Sequence, residues 1–198
     1  QTFVIGDMPF GSYNISVAQA IESANRILME TNCDAVKLEG GKDMAPAVES
    51  MVKAGISVVG HIGLTPQTSV SFGGFKVQGG TPESAVALIE DAKALEAAGA
   101  IGIVVECVPS VVAKAMTEAV SIPIMGIGAG PDVDAQVMVT QDLLGMYGDF
   151  KPKFVKHFAN IREEMIKGLN EFHTESLSGA FPTPEFSFNK AIELPRVY

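Results

Sequence analysis

The chain has 198 residues, 47% of them hydrophobic and 19% charged, a composition that fits a folded domain with a full core and excludes wholesale disorder. Its 14 Lys and Arg against 23 Asp and Glu give a net charge of −9, which argues against nucleic-acid or anionic-membrane partners, because both need a basic face. No apolar run reaches the roughly 18 residues of a transmembrane span, and two cysteines are too few for a disulfide framework. We therefore predict one domain over residues 1–198 of a cytoplasmic protein with reduced cysteines, including a C-terminal helix and tail from about residue 150.

Short apolar runs alternate with helical patterns along the chain. The patterns predict strands at 2–6, 34–38, 57–60, 101–105, 122–126 and near 136–140, and helices at 16–31, 44–54, 81–99, 110–120 and near 154–170. Such repetition gives parallel strands joined by right-handed crossovers. A closed barrel needs eight strands, and about six are counted here. We therefore expect an α/β fold, a (β/α)₈ TIM barrel whose first two strands are absent from this chain.

Polar side chains follow the predicted strands at the points where they end. Asp7, Glu39 and Glu106 each come directly after an apolar run, and His61 follows a fourth. A carboxylate beside a buried strand is unfavourable by several kcal/mol unless something pairs with it. The carboxyl ends of barrel strands meet at one mouth, which is where barrel enzymes keep their chemistry. The pattern therefore predicts an enzyme.

Asp7 and Glu39 are hard oxygen donors at adjacent strand ends, and Lys37 precedes Glu39 by two residues. Strand alternation places Lys37 and Glu39 on the same face, so both can point into the mouth. Two carboxylates with water and substrate oxygens suit Mg²⁺, and the lysine would then meet a substrate carboxylate. The alternative is a buried ion pair that holds this end of the sheet together.

Glu106 is the best candidate for a general base because a nearly uninterrupted apolar run precedes it and limits its hydration. Its alternative role is a carboxylate that faces the amides of the next helix. His61 is a candidate for polarising a substrate oxygen, although a lone histidine at a strand end also serves structure. The glycine-rich segment 63–80 exceeds an ordinary strand-to-helix connection, and it is either a lid or an ordered surface loop.

Seven segments, in order and with matching spacing, resemble the ketopantoate hydroxymethyltransferase family. They are DMPF at 7–10, VKLEGG at 36–41, GHIGLTPQ at 60–67, GGFKVQG at 73–79, LEAAGA at 95–100, ECVP at 106–109 and GIGAG at 126–130. The resemblance implies a barrel of the phosphoenolpyruvate mutase/isocitrate lyase superfamily. It also implies transfer of a hydroxymethyl group from 5,10-methylenetetrahydrofolate to 3-methyl-2-oxobutanoate, giving 2-dehydropantoate for pantothenate and coenzyme A synthesis.

The resemblance also implies roles for individual residues. Asp7 and Glu39 match two of the family's three Mg²⁺ ligands, and Asp7 also matches a substrate contact. Lys37 and His61 match further substrate-binding positions, and Glu106 matches the proton acceptor. The third ligand of the family belongs to an Asp-Ser-Leu-Gly motif that does not occur in this sequence, which agrees with the expected absence of two strands. The partners implied are the keto acid, the folate and further copies of the chain, as a homo-oligomer that is decameric in the family.

Two alternatives stay open at this level. One is a lyase or mutase of the same superfamily, which would carry a cysteine in the lid position; segment 63–80 has none. The other is a non-catalytic interaction protein on an incomplete barrel, against which the retained Lys37, Glu39 and Glu106 argue.

Overall fold

A computed structural model describes residues 2–148 and 151–193 of the chain. Six strands form one parallel sheet in which every strand is hydrogen-bonded to the next one along the sequence. They are β1 (Ile5–Asp7), β2 (Ala35–Glu39), β3 (Val58–Gly63), β4 (Gly102–Glu106), β5 (Ile124–Ile127) and β6 (Ala135–Gln136). A sequential order without reversal is that of a barrel wall, whereas a doubly wound sheet reverses its order at a switch point. The predicted six-strand α/β barrel architecture is therefore confirmed.

One α-helix follows each of the first four strands and connects it to the next strand of the sheet. These helices are α1 (Val17–Glu30), α2 (Ala45–Lys53), α3 (Pro82–Ala97) and α4 (Ser110–Ala119). Their starts have local causes: Ser16 accepts a hydrogen bond from the backbone of Gln19, and Thr81 and Ser84 form a reciprocal capping box. Segment 63–80 contains a 3₁₀ helix at Pro66–Phe72, which presents Gln67 to the strand ends.

The core lies between the sheet and these four helices. Val36, Leu38, Val58 and Ile103 from the strands are fully buried together with Leu95 of α3. The sheet and α3 approach each other closely at Gly60, where an added Cβ would lie 2.7 Å from Cδ1 of Leu95. Because Gly60 immediately precedes His61, this packing fixes the strand segment that carries the histidine.

The chain forms two compact units, Gln1–Met138 and Val139–Tyr198. The sheet, its helices and every candidate site residue belong to the first unit. The second contains the short helix α5 (Thr140–Leu143), the helix α6 (Ile161–Ser178) and a 3₁₀ helix at Pro184–Phe186. In the part of the chain that the structure describes, no helix combines the length and apolar character needed to cross a bilayer.

The predicted bounds of two elements were wrong. The tail helix begins at Ile161 and not near residue 154, because the backbone N–H groups of Phe158 and Ile161 donate to the carbonyls of Leu143 and Leu144 instead of entering an earlier helical turn. The strand predicted near 136–140 ends at Gln136, because Thr140 already begins α5.

Candidate active site

Strand register sets the candidate residues side by side at the carboxyl ends of β1 to β4. Asp7 pairs with Lys37 across β1 and β2, Glu39 with His61 across β2 and β3, and Gly63 with Glu106 across β3 and β4. Asp7, Glu39 and Glu106 are the last residues of their strands. Parallel strands thus bring together residues that lie as much as a hundred positions apart in sequence.

The ammonium of Lys37 is the centre of the group. Its Nζ lies 2.8 Å from Oδ1 of Asp7 and 3.7 Å from Oε1 of Glu39. It also lies 3.3 Å from Nδ1 of His61. The Lys37 side chain is only 15% exposed, so water screens these interactions less than it would at the surface. A positive charge is therefore accommodated between two carboxylates.

Glu39 is the most buried acid of the site, with its side chain 3% exposed. Burial raises the pKa of this carboxyl, although His61, the backbone N–H of Gln67 and Lys37 act in the opposite direction. The Gln67 N–H donates to Oε2 of Glu39 at 3.0 Å. The nearby donors and the cation therefore do not fully compensate the loss of water around this carboxylate.

His61 lies between the acids of β2 and β4 and is 4% exposed. The Lys37 ammonium has only donors, so the contact between Lys37 Nζ and Nδ1 of His61 is a hydrogen bond in the tautomer that carries its proton on Nε2. That Nε2 lies 3.2 Å from Oε2 of Glu106, but without the angle of a hydrogen bond. The side chain of Glu106 is 14% exposed.

The turn that follows Glu106 has an unusual backbone. Cys107 has a φ of +50°, the left-handed conformation that side chains other than glycine seldom adopt. Its N–H donates to the carbonyl of Ile127, and its carbonyl accepts from the N–H of Gln78. Burial, followed by the charge of Glu106, raises the pKa of the Cys107 thiol to about 11. The thiol is therefore protonated at neutral pH, which removes it as a nucleophile and leaves the turn as the support of Glu106.

Asp7 and Glu39 are the residues that could hold a divalent cation. Both carboxylates contact the same ammonium, and hard oxygen donors of this kind suit Mg²⁺, which is often held by one or two carboxylates with water and substrate oxygens. Among residues 2–148 and 151–193 no group of three or more His, Cys, Asp or Glu side chains is arranged to hold a metal. Asp7 and Glu39 could therefore supply only part of the coordination shell of such an ion.

Two polar residues of the site were missed by sequence reasoning. Tyr13, in the loop after β1, accepts the backbone N–H of Glu39 at 3.3 Å and donates to Oε1 of Gln67 at 2.6 Å. Gln67 follows a proline in the loop after β3. The available signal was the occurrence of Gln67 at the end of the GHIGLTPQ segment, yet its chemistry depends on loop conformation that no periodic pattern reveals.

The fold and the position of the site together define the class. A sequentially ordered parallel sheet with a carboxylate-rich group at the carboxyl ends of its strands is the arrangement of an α/β-barrel enzyme. A putative phosphonomutase from Burkholderia cenocepacia J2315 shares this fold, with a TM-score of 0.53 at 15% identity over 88% of this chain and 70% of that one. This likeness shows an α/β-barrel fold.

Sequence comparison gives the particular family. The model of the family described as ketopantoate hydroxymethyltransferase matches residues 1–184. Curated relatives named 3-methyl-2-oxobutanoate hydroxymethyltransferase include one from Heliobacterium modesticaldum, 54% identical over all of this chain and 71% of its own length. Another, from Clostridioides difficile, is 50% identical over 98% of this chain and 71% of its own length. The chain belongs to the ketopantoate hydroxymethyltransferase family and is a transferase.

Proposed function

We propose that this site transfers a hydroxymethyl group from 5,10-methylenetetrahydrofolate to 3-methyl-2-oxobutanoate, giving 2-dehydropantoate for pantothenate synthesis. The observation that carries the proposal is the grouping of Asp7, Lys37 and Glu39 beside a histidine and a second acid, Glu106. Asp7 and Glu39 suit a bound cation, Lys37 suits an anionic substrate, and Glu106 suits removal of a proton.

Asp7 and Glu39 are the proposed Mg²⁺ ligands, and the ion, when bound, supplies polarisation of the keto acid's oxygens and so acidifies its C3–H. Lys37 attracts the carboxylate of the keto acid, because its ammonium is the cation of the group. Asp7, at 60% side-chain exposure, lies on the solvent side, where it also meets the substrate.

Glu106 is the proposed proton acceptor. It removes the C3 proton of the keto acid, and the C3 carbon then forms a bond to the one-carbon unit derived from the folate. The two bonds from that carbon to the folate nitrogens break, water supplies the product's hydroxyl oxygen, and tetrahydrofolate leaves with the C3 proton and one proton of the water on its nitrogens. Nε2 of His61 lies 3.2 Å from Oε2 of Glu106, so the histidine adjoins the proposed base. His61 is thus positioned at the pocket without acting as the base itself, because its Nδ1 faces the Lys37 ammonium.

The test of the proposal is exchange of the C3 proton of 3-methyl-2-oxobutanoate in D₂O with Mg²⁺, followed by NMR without folate. Glu106→Gln keeps the size of the side chain and removes the base, so exchange should fall by at least about 100-fold while keto-acid binding persists. Glu118→Gln, at an exposed position of α4, is the matched control and should exchange as the unmodified protein does.

Full exchange in Glu106→Gln would refute the assignment of the base. Exchange in the unmodified protein without formation of 2-dehydropantoate on adding 5,10-methylenetetrahydrofolate would instead refute the folate, and would favour a lyase or mutase of the same superfamily. No exchange at all would favour a non-catalytic protein.

The proposal extends to the setting of the enzyme. Both cysteines, Cys33 and Cys107, are free thiols, which supports a cytoplasmic location. Family resemblance supports a homo-oligomer, a decamer, and sedimentation velocity of the purified protein would test it: a monomer at micromolar concentration would contradict the assembly.

A further inference from the structure

Tyr13 and Gln67 form a buried hydrogen-bond network at the site. Tyr13 is 2% exposed, and its Oη is 2.6 Å from Oε1 of Gln67 and 3.3 Å from the backbone N of Glu39. The other end of the Gln67 side chain, Nε2, lies 2.9 Å from the carbonyl oxygen of Met8. The network therefore joins the loop after β1, the end of β2 and the loop after β3.

Each bond in this network has a fixed direction. The backbone N–H of Glu39 can only donate, so Tyr13 accepts there and its own O–H donates to the carbonyl oxygen of Gln67. The amide nitrogen of Gln67 then faces the Met8 carbonyl, which can only accept. A flipped Gln67 amide would set two acceptors against each other at Met8, so one arrangement satisfies every group.

The network also determines which oxygen of Glu39 is available. The Gln67 backbone N–H holds Oε2 at 3.0 Å, whereas Oε1 faces Lys37 and His61. At the other side of the network, Met8 directly follows Asp7 and donates a hydrogen bond from its backbone N–H to the carbonyl of Lys37. The same small group of hydrogen bonds therefore holds the carboxylate of Glu39 and the backbone that directly follows Asp7.

We propose that Tyr13 and Gln67 are positioning residues that hold in place the two strand ends that carry Asp7 and Glu39, and that this placement supports binding of a Mg²⁺ ion. The inference rests on the metal site of the proposed function and extends it to residues that do not touch the ion. Hydrogen-bond partners of metal ligands typically change metal affinity 10- to 100-fold when they are removed. A residue that serves only the core would lower stability and leave the affinity of the folded protein unchanged.

The experiment compares Tyr13→Phe and Gln67→Met, which keep the size of each side chain and remove only its hydrogen bonds. Gln67→Met retains the backbone N–H that holds Glu39. Mg²⁺ affinity is measured by isothermal titration calorimetry on the metal-free folded protein. The temperature is kept below the melting point that each variant shows in a separate unfolding experiment in EDTA. We expect each variant to bind Mg²⁺ about 10- to 100-fold more weakly, and the double variant to bind no more weakly than the weaker single one, because both act through one network.

Two control variants give the expected upper and lower limits of Mg²⁺ affinity. Tyr147→Phe removes a phenolic hydroxyl from a residue that is 57% exposed and should leave the affinity unchanged, whereas Asp7→Ala should abolish measurable binding. Mg²⁺ affinities of Tyr13→Phe and Gln67→Met within twofold of the unmodified protein would overturn the positioning role while leaving the proposed function intact. Absence of Mg²⁺ binding by the unmodified protein would overturn the metal site and this inference together, and if Gln67→Met does not fold, Tyr13→Phe decides the matter.

Discussion

Replacement of Lys37 by methionine tests whether the ammonium compensates the buried acid of the site. Lys37→Met keeps the length of the side chain and removes its charge. The Lys37 Nζ is the nearest cation to Glu39, at 3.7 Å from its Oε1. In the variant, an ionised Glu39 that is 3% exposed would retain the Gln67 N–H and the ring of His61 as its polar neighbours.

The size of the effect follows from the burial of each partner. Removal of one partner of a fully buried pair is destabilising by about 3–5 kcal/mol, but the 3.7 Å separation of Lys37 and Glu39 is long for an ion pair. The 2.8 Å contact with Asp7 is shorter, yet that carboxylate is 60% exposed, so it adds at most about 1 kcal/mol. We expect a net loss of about 2 kcal/mol, which corresponds to a fall in Tm of about 4–8 °C for a chain of this length.

The assay is thermal unfolding at pH 7.5 in EDTA, with two comparison variants. Lys53→Met breaks the Lys53–Glu49 pair, in which the lysine side chain is 71% exposed, and should change stability by less than about 0.5 kcal/mol. Lys37→Met combined with Glu39→Gln should recover most of the loss, because the stranded charge is gone. Equal melting of Lys37→Met and Lys53→Met would refute the account of the Lys37 ammonium as the counter-charge of Glu39.

Two further predictions concern the thiol at the site and the packing of the chain. In a Cys33→Ser background, alkylation of Cys107 by iodoacetamide should stay slow at pH 8 and accelerate up to about pH 11, as the thiol ionises. Because the pKa of Cys107 in the folded protein is raised above 9.0, the protonated thiol contributes to folding stability below pH 9.0. This contribution to stability is lost between pH 9.0 and about 11. Rapid alkylation at pH 8 would contradict both statements. Gly60→Ala should destabilise by about 1–3 kcal/mol because the new Cβ overlaps the buried Leu95, whereas Gly168→Ala, which meets open space inside α6, should stabilise by about 0.5–1 kcal/mol. Equal urea midpoints for the two alanine variants would contradict the packing argument.

The sequence was sufficient to predict the sheet and the edge of it, at the carboxyl ends of the strands, where its acids lie. Apolar runs that end in Asp7, Glu39 and Glu106 indicated strand ends, and the structure places each acid as the final residue of its strand. The prediction succeeded because parallel strands align their carboxyl ends whatever the loops between them do. The catalytic and metal-binding roles assigned to these residues stay predictions.

The tail and the loops were less predictable, for reasons that can be located. An apolar periodicity begins near Phe154, but the helix begins only at Ile161, because the backbone N–H groups of Phe158 and Ile161 donate to the carbonyls of Leu143 and Leu144 and not within an earlier helical turn. Tyr13 and Gln67 meet across 54 positions, through loops whose conformation depends on each other. Periodicity describes single elements, so a network between loops leaves no periodic trace.

The charges of the site provide an argument for a divalent cation that is independent of the family. Asp7, Glu39 and Glu106 bring three carboxyl groups to the site, and the Lys37 ammonium contacts two of them, those of Asp7 and Glu39. The carboxyl groups outnumber the ammonium, so the site can accommodate further positive charge. Because burial raises the pKa of Glu39 in spite of Lys37, the chain's own cation is insufficient for this carboxylate. An ion pair that served only to hold the strand ends together would be better matched in charge, and the imbalance therefore favours a site built to receive a cation over one built for stability.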